Sequence, residues 1–388
     1  MAKEIEMYNA YFGDCYMLKN IDSNLLVDFG IHSCAKVWNY TYTNRQKLIE
    51  SIADDIEKRY DNPSVLITHF HTDHICGLTY MYKCGLSKFK GLFNKIYIPD
   101  VWGNPFTVVT SLLEEMVLRV QLKKTRFPGT TASLFDLIEF LCNNSRNVKL
   151  LRRGVTFENG KYLTLWPPEN TCKDEYEAIL AELDIPDSLI RDLYELSQRV
   201  CYYVQNILEN GEISENYNLG QIESFRRNYE NLITEYESQM GNFVEVEQLN
   251  TLGHNINIVF HDRVCGNENV LFTGDAEISH MNSIVSAIDH KMHQRYKFIK
   301  IPHHGTPKHY YDFSFLTPEH ILIPNGSVNG HVGDAAYMID SRYGNLIARH
   351  TCSNSNNCSS CTKGCNFKAS CIGHTKDIVF PLLYKTIR

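Results

Sequence analysis

Four side chains able to hold a metal ion fall within six residues of one another in the stretch THFHTDHICGL, residues 68–78: His69, His71, Asp73 and His74. They follow an apolar run, Ser64 to Thr68, that reads as a buried strand. Side chains alternate along a strand, so His69 and His71 point the same way. The turn after them brings Asp73 and His74 round to a second position. Neutral imidazole suits Zn, Fe or Ni, and an added carboxylate also suits Mn. An isolated H-x-H reads more readily as a polar turn. Four such groups directly behind an apolar strand favour a metal site.

A second concentration lies near the C-terminus: Cys352-x5-Cys358-x2-Cys361-x3-Cys365-x5-Cys371-x2-His374. C-x2-C is a metal-knuckle spacing. The surrounding Asn, Ser and Gly cannot form an apolar core, so a cross-link would supply the order. In a reducing compartment structural zinc is favoured over disulfides. Cys358, Cys361, Cys365 and Cys371 are the favoured ligands, with Cys352 and His374 as alternatives. A third candidate is a basic run, Arg119, Lys123, Lys124 and Arg126, then Arg146, Lys149, Arg152 and Arg153. It would neutralise backbone phosphates or form a solvated face.

These groups need a scaffold. Short strands are expected within residues 4–30, then a helix over 44–60 with Leu48, Ile49, Ile52 and Ile56 on one side. Further strands are expected at Lys95–Pro99, Tyr162–Trp166, Ile256–Phe260, Val270–Thr273, Phe298–Ile301 and His320–Pro324. Residues 106–142 read as helical with a break at Pro128-Gly129, and 173–240 as largely helical. Buried strands separated by helices define an α/β chain. No internal repeat is evident.

At 388 residues, 43% hydrophobic and 21% charged, the chain is long enough for a sizeable core and is not of disordered composition. No apolar run reaches the ~18 residues of a membrane span. Met1 to Met7 carry Lys3, Glu4 and Glu6 with no apolar stretch after them, so no secretory signal is expected and the chain is read as cytoplasmic. The net charge of −7 is unevenly spread: 17 acidic and 5 basic residues lie between Lys173 and Glu247, leaving the remainder mildly basic. The eight other cysteines mostly read as small buried hydrophobes.

H-x-H-x-D-H after a strand resembles the signature of the metallo-β-lactamase superfamily. LLVDFG (25–30), VLFTGDAE (270–277) and IKIPHHGT (299–306) resemble its other motifs, in the same order. Within the superfamily the pattern is most similar to the hydrolase domain of competence-type DNA-uptake proteins and related phosphodiesterases. It shares a Gly13-Asp14 turn, Trp166-Pro167-Pro168 after a strand, and Asn257 before another. The resemblance covers 5–100, 160–168 and 255–350.

It implies a four-layer αββα sandwich, a single domain over 1–388. Helical insertions at 101–150 and 173–250 would form a cap, and a Cys-rich insertion at 350–375 would hold structural zinc. Two divalent ions, Zn or Mn, would be held by His69, His71, Asp73, His74, Asp275 and His304, with Asp275 bridging. Asp28 would orient the histidine loop, His303 would face the substrate, and Lys308 and His309 would contact it. The superfamily often has one more histidine, but none lies between Ile75 and Gly253. His254 or water would complete the His69/His71 position, or that position stays unfilled. The implied function is a two-metal phosphodiesterase or nuclease using metal-activated hydroxide, with DNA or a nucleotide as substrate. The alternatives are a carbon-ester or lactone hydrolase, or an interaction subunit whose acidic insert meets a protein partner.

Overall fold

The computed structural model describes residues 4–8, 10, 13–20, 22–31, 42–83, 92–124, 133–169, 173–183, 185–210, 219–240, 246–325, 339–352 and 384–387. The first part of the chain gives β1 (Glu4–Tyr8), β2 (Cys15–Lys19), β3 (Asn24–Phe29), α1 (Tyr42–Arg59), β4 (Ser64–Leu66), α2 (Thr72–Lys83) and β5 (Ile96–Pro99). Two helices follow, α3 (Pro105–Lys124) and α4 (Leu134–Asn143), then β6 (Val148–Leu151), β7 (Thr156–Phe157) and β8 (Tyr162–Trp166). Four more helices follow: α5 (Lys173–Glu182), α6 (Asp187–Asn210), α7 (Leu219–Met240) and α8 (Val246–His254). The chain then forms β9 (Val259–Asp262), β10 (Val270–Phe272), α9 (Ile278–Ser286), β11 (Arg295–Lys300), β12 (Thr317–Ile323), β13 (Arg349–Cys352) and β14 (Tyr384–Ile387).

The strands form two mixed seven-stranded sheets, ordered β14-β1-β2-β3-β4-β5-β6 and β13-β12-β11-β10-β9-β8-β7. Each sheet is antiparallel through its first four strands, from β14 to β3 and from β7 to β10. Each continues parallel through its last three pairings. The two sheets thus share one plan, although the sequence shows no repeat.

Alternation explains the uninterrupted apolar runs. In β3, Leu25 and Val27 join Phe260, Val270, Phe272 and Phe298 of the second sheet in one buried layer. Leu26, between them, faces a cluster formed with α1 to α8. In the second sheet, Leu271 and Ile299 turn outward to pack with Met281 and Ile284 of α9. Strands covered on both faces have no solvated side to mark with polar residues.

The helices follow their own periodicity. In α6, Leu189, Leu193, Leu196, Val200, Val204 and Ile207 form one buried stripe. The α4 helix starts at a capping box in which the Ser133 side chain accepts from Phe135 N and Asp136 caps in return. Several strand ends shift by a few residues from the sequence expectation, and two boundaries of the helical segments differ as well. The helical part of 101–150 ends before β6, which is an edge strand of the first sheet. The later helical segment continues through α8, where a nine-residue helix close to Gly253 gives too short a pattern to read. No helix among the described residues is long and apolar enough to cross a membrane.

Candidate metal centre

The parallel part of each sheet delivers the same pair of features: an aspartate at the end of one strand, and histidines at the end of the next. In the first sheet, Asp28 is the last residue but one of β3, and its φ of 56° is rare for an aspartate. Its carboxylate repays that backbone strain by accepting from Thr68 N (2.7 Å) and Thr68 Oγ1 (2.8 Å) and by meeting His74 Nδ1 at 2.8 Å. Asp28 therefore holds the histidine loop after β4 from behind. The strand itself stops at Leu66. His69 and His71 lie beyond it, and Asp73 and His74 sit on the first turn of α2. Thr68 O accepts from Ile258 N (2.8 Å), tying this loop to the second sheet.

In the second sheet, β10 runs into Gly274 and Asp275. Gly274 has φ +50°, and a Cβ there would lie 2.0 Å from Asn257 Oδ1. Only glycine lets Asn257 come close enough to accept from Asp275 N (2.8 Å) and donate to Thr273 O (2.8 Å). β11 then leads to His303 and His304, both left-handed at φ 47° and 54°.

Two groups of ligand atoms result. The first is His69, His71 and His254, and the second is Asp73, His74, Asp275 and His304; within each, the ligand atoms lie within 4.8 Å of one another. The groups adjoin, with the His69 and His74 ring centroids 4.1 Å apart. His74 Nδ1 is taken by Asp28 and His304 Nδ1 by Pro324 O (3.0 Å), so each turns Nε2 inward. His304 Nε2 lies 3.4 Å from both Asp73 Oδ2 and Asp275 Oδ2, and His74 Nε2 3.5 Å from Asp275 Oδ2. Ligands around a tetrahedral zinc ion sit about 3.3 Å apart, given bonds of roughly 2.0–2.1 Å. The Nε2 atoms of His69, His71 and His74 are buried without a hydrogen-bond partner. Buried polar atoms rarely go unsatisfied. Spacing, donor set and orphaned nitrogens therefore fit divalent metal ions.

The strand β8 ends in Trp166, where, in the sequence resemblance, the superfamily often carries a further histidine. Trp166 Nε1 donates to Asn255 O (3.0 Å), steadying the end of α8, and His254 from that helix completes the first group.

Electrostatics separates the groups. Burial, with the His74 and His71 rings, holds His69 well below the usual imidazole range. Burial, with His303 and His71, takes His254 to about 3. Burial also opposes charge on His74 and His304, but carboxylates prevail there: Asp28 and Asp275 raise His74 well above its ordinary value, and Asp275 and Asp73 raise His304 to about 9. Lys300 is fully buried beneath the second group. Its ammonium donates to Gly274 O (2.6 Å), Asp14 Oδ2 (2.6 Å) and Asp275 Oδ1 (3.1 Å). Burial disfavours that charge, but Asp14 and Asp275 outweigh it and raise Lys300 to about 12. Asp275 Oδ1 is thereby engaged, and Oδ2 is left to face the imidazoles.

A further carboxylate gathers the remaining histidines. Glu277 Oε1 lies 2.9 Å from His254 Nδ1 and 3.2 Å from His303 Nε2, and Oε2 lies 3.0 Å from His309 Nδ1. The His303 and His309 rings stack at 3.6 Å. His303 Nδ1 is 3.4 Å from Asp275 Oδ2, at the edge of the second group, and burial lowers its pKa to about 4.

The six ligands expected from sequence thus converge, with Asp28 behind them and His303 and His309 beside them. Lys308 is exposed on the same turn as His309. Cys358, Cys361, Cys365, Cys371 and His374 lie outside the described residues. Part of the basic run lies among the described residues. Arg119 pairs with Glu115 and Glu230, Arg152 with Asp100 and Glu169, and Arg153 with Asp289. Each of these three guanidiniums thus has a carboxylate partner. Sequence reasoning did not assign Asp14, Glu114, Glu277 or Lys300 to the site. The available signals were the Gly13-Asp14 turn, the glutamate two residues after Asp275, and the lysine three residues before His303.

Compared with models of protein families the chain matches none, and compared with curated proteins it finds no match.

Proposed function

We propose that the chain is a metal-dependent hydrolase of the metallo-β-lactamase type, with a four-layer αββα fold and two divalent ions, Zn or Mn, at the edge where the parallel strands of both sheets end. The observation that carries this reading is the pair of adjoining ligand groups, in which the Nε2 atoms of His69, His71 and His74 are buried and unpartnered. His69, His71 and His254 would hold one ion, and Asp73, His74, Asp275 and His304 the other. Such ions supply activated water near neutral pH and polarise the bond under attack.

The chain's own groups do the rest. Asp28, Glu277 and Pro324 O fix the imidazole orientations. Lys300 fixes the face of Asp275 that is presented. His303 lies between Asp275 and Glu277 at the edge of the second group, where its imidazole would face the substrate. A phosphodiester, in DNA or a nucleotide, is the preferred substrate on the resemblance of P-H-H-G and W-P-P to phosphodiesterases.

A carbon ester or lactone is the second reading. It is favoured by Glu114 and Glu277 lining the site and by the carboxylate pairing of Arg119, Arg152 and Arg153. Hydrolysis of a generic phosphodiester and of single- and double-stranded DNA, after chelation and with Mn²⁺ or Zn²⁺ restored, tests the first reading. Metal-dependent cleavage lost in His74→Ala is the expected result. Folded, metal-loaded protein that leaves phosphodiesters intact and opens lactones would replace it with the second.

A further inference from the structure

Beside the ligand groups lies one more buried histidine, His280, in the first turn of α9. Both of its ring nitrogens are engaged, and in opposite senses. Nδ1 accepts from Glu277 N (3.1 Å), so it carries no proton. The proton of the neutral ring is therefore on Nε2, which donates to Asn255 Oδ1 (2.8 Å). Flipping the ring would lose both bonds, so His280 fits its place in one orientation and one tautomer.

Both partners bear on His254. Asn255 is the next residue, where the chain leaves α8. Its backbone O accepts from Trp166 Nε1 (3.0 Å) while its side chain is held by His280. The Trp166 ring lies over the His280 ring at 4.7 Å and 21°, so the two grips on Asn255 also pack on each other. Glu277, the other partner, meets His254 Nδ1 at 2.9 Å through Oε1. His280 thus reaches His254 twice: through the residue after it, and through the backbone of the glutamate that orients its ring. Two residues further on, Asn257 N donates to His254 O (2.9 Å), which closes the turn. A buried ring that only filled space against Trp166 would need neither nitrogen.

Resting on the metal centre proposed above, we infer that His280 is a positioning residue for the His69/His71/His254 ion: with Trp166 it clamps Asn255 and Glu277 so that His254 presents Nε2 to the metal. His69 and His71 share one loop, whereas His254 arrives from a distant part of the chain, so its placement depends on whatever fixes the end of α8. β8 and α9 supply that fixing through Trp166 and His280. Neither side chain is a ligand; together they decide where the third imidazole stands.

The test is titration of the chelated full chain with Zn²⁺ and with Co²⁺, in the wild type, His280→Phe, His280→Gln and His71→Ala, alongside thermal unfolding of each metal-free protein. The wild type should take up two equivalents and His71→Ala one. His280→Phe keeps a ring to stack on Trp166 but makes neither bond. It should bind the equivalent that His71→Ala loses about tenfold more weakly, the lower end of the range for losing groups that orient a ligand histidine. It should leave the other equivalent unchanged and alter the cobalt absorption of the weakened position. His280→Gln, whose amide nitrogen can still donate to Asn255, should recover most of that loss and the wild-type spectrum. Should His280→Phe not fold, Asn255→Ala, which removes the acceptor and leaves the ring, should show the same selective weakening. Unchanged affinities and cobalt spectrum in His280→Phe would overturn the inference and leave the metal centre standing. If its metal-free midpoint fell at the same time, His280 would be a packing residue. Equal weakening of both equivalents, or a glutamine variant no better than the phenylalanine one, would also overturn it. A wild type that takes up no metal would overturn both the inference and the metal centre.

Discussion

The two ligand groups adjoin, but they are built differently. The Asp73/His74/Asp275/His304 group comes from the ends of strands and the helix turn beside them, and three of its four members are backed by scaffold: His74 by Asp28, His304 by Pro324 O, Asp275 by Asn257 and Lys300. The His69/His71/His254 group takes two residues from the histidine loop and its third from α8, a helix that follows the long helical segment between β8 and β9. One group is rich in carboxylate, and its imidazoles are poised to carry protons. The other is mostly neutral imidazole. The sheets alone therefore specify one position, whereas the other exists only if the helical insertions dock correctly.

Replacing Asp275 with asparagine should break that contrast most severely. It removes a charged ligand from the strand-built group, and it leaves the buried Lys300 ammonium with Asp14 as its remaining carboxylate. Removing one member of a buried ion pair costs about 3–5 kcal/mol. The expected result is loss of one metal equivalent together with a lower unfolding midpoint of the metal-free protein, read by metal titration and thermal melts. Retention of both equivalents would show that Asp275 is not a ligand.

His254→Ala should have the next largest effect, confined to metal. It should abolish the cap-dependent equivalent and leave the strand-built one, as mass spectrometry under native conditions would count. If both equivalents vanish, the two groups are one cooperative site and the division drawn above is wrong.

Below these come the residues that hold the ligands. Asp28→Asn should weaken the strand-built equivalent by about 10–100-fold, the usual range for losing a partner that orients a ligand histidine. Glu277→Gln should weaken the cap-dependent one through His254 by a similar or smaller factor. Competition with a chelator of known affinity measures both, and crossed effects would contradict the assignment of each carboxylate to its own histidine.

The same contrast explains what could be read from the sequence. The strand-built group is local: His69, His71, Asp73 and His74 lie within one short stretch, and Asp275 and His304 each close a strand with a recognisable ending. The apolar runs of β3, β10 and β11 and the buried stripe of α6 carry periodicities that length and burial enforce. His254 stood in sequence only as one way to fill a position, because it ends a short helix far from its partners and nothing nearby marks it as a ligand. Glu114 was invisible for the same reason, as one of two adjacent glutamates on an apolar helix. Lys300 lies inside a strand, where a lysine reads as an edge residue until the sheet shows it buried between two aspartates. The shared plan of the two sheets also left no sequence trace. It lives in strand pairing and in the left-handed turns at Asp28 and Gly274, which quite different residues satisfy.

The smallest predicted effect is a difference in slope. Protons and metal compete for the same nitrogens, so lowering the pH weakens binding at any imidazole that is protonated before metal enters. In the strand-built group, Asp28 and Asp275 raise His74 well above its ordinary value against the opposing effect of burial, and Asp275 and Asp73 raise His304 to about 9. Near neutral pH both must lose a proton, while Asp73 and Asp275 are already ionised under the influence of His74 and Lys300 despite their burial. In the cap-dependent group, burial keeps His69 and His254 neutral. Only His71 is raised, by Glu114 against burial. Affinity should therefore fall with decreasing pH at both positions between about pH 7.5 and 6.5, by about tenfold per unit for each displaced proton. The strand-built equivalent should follow two protons and the other no more than one. Glu114→Gln, which removes the carboxylate that raises His71, should flatten the second slope further and leave the first alone. Equal slopes in the wild type would mean that the two groups share their protons, and the electrostatic half of the contrast would fail.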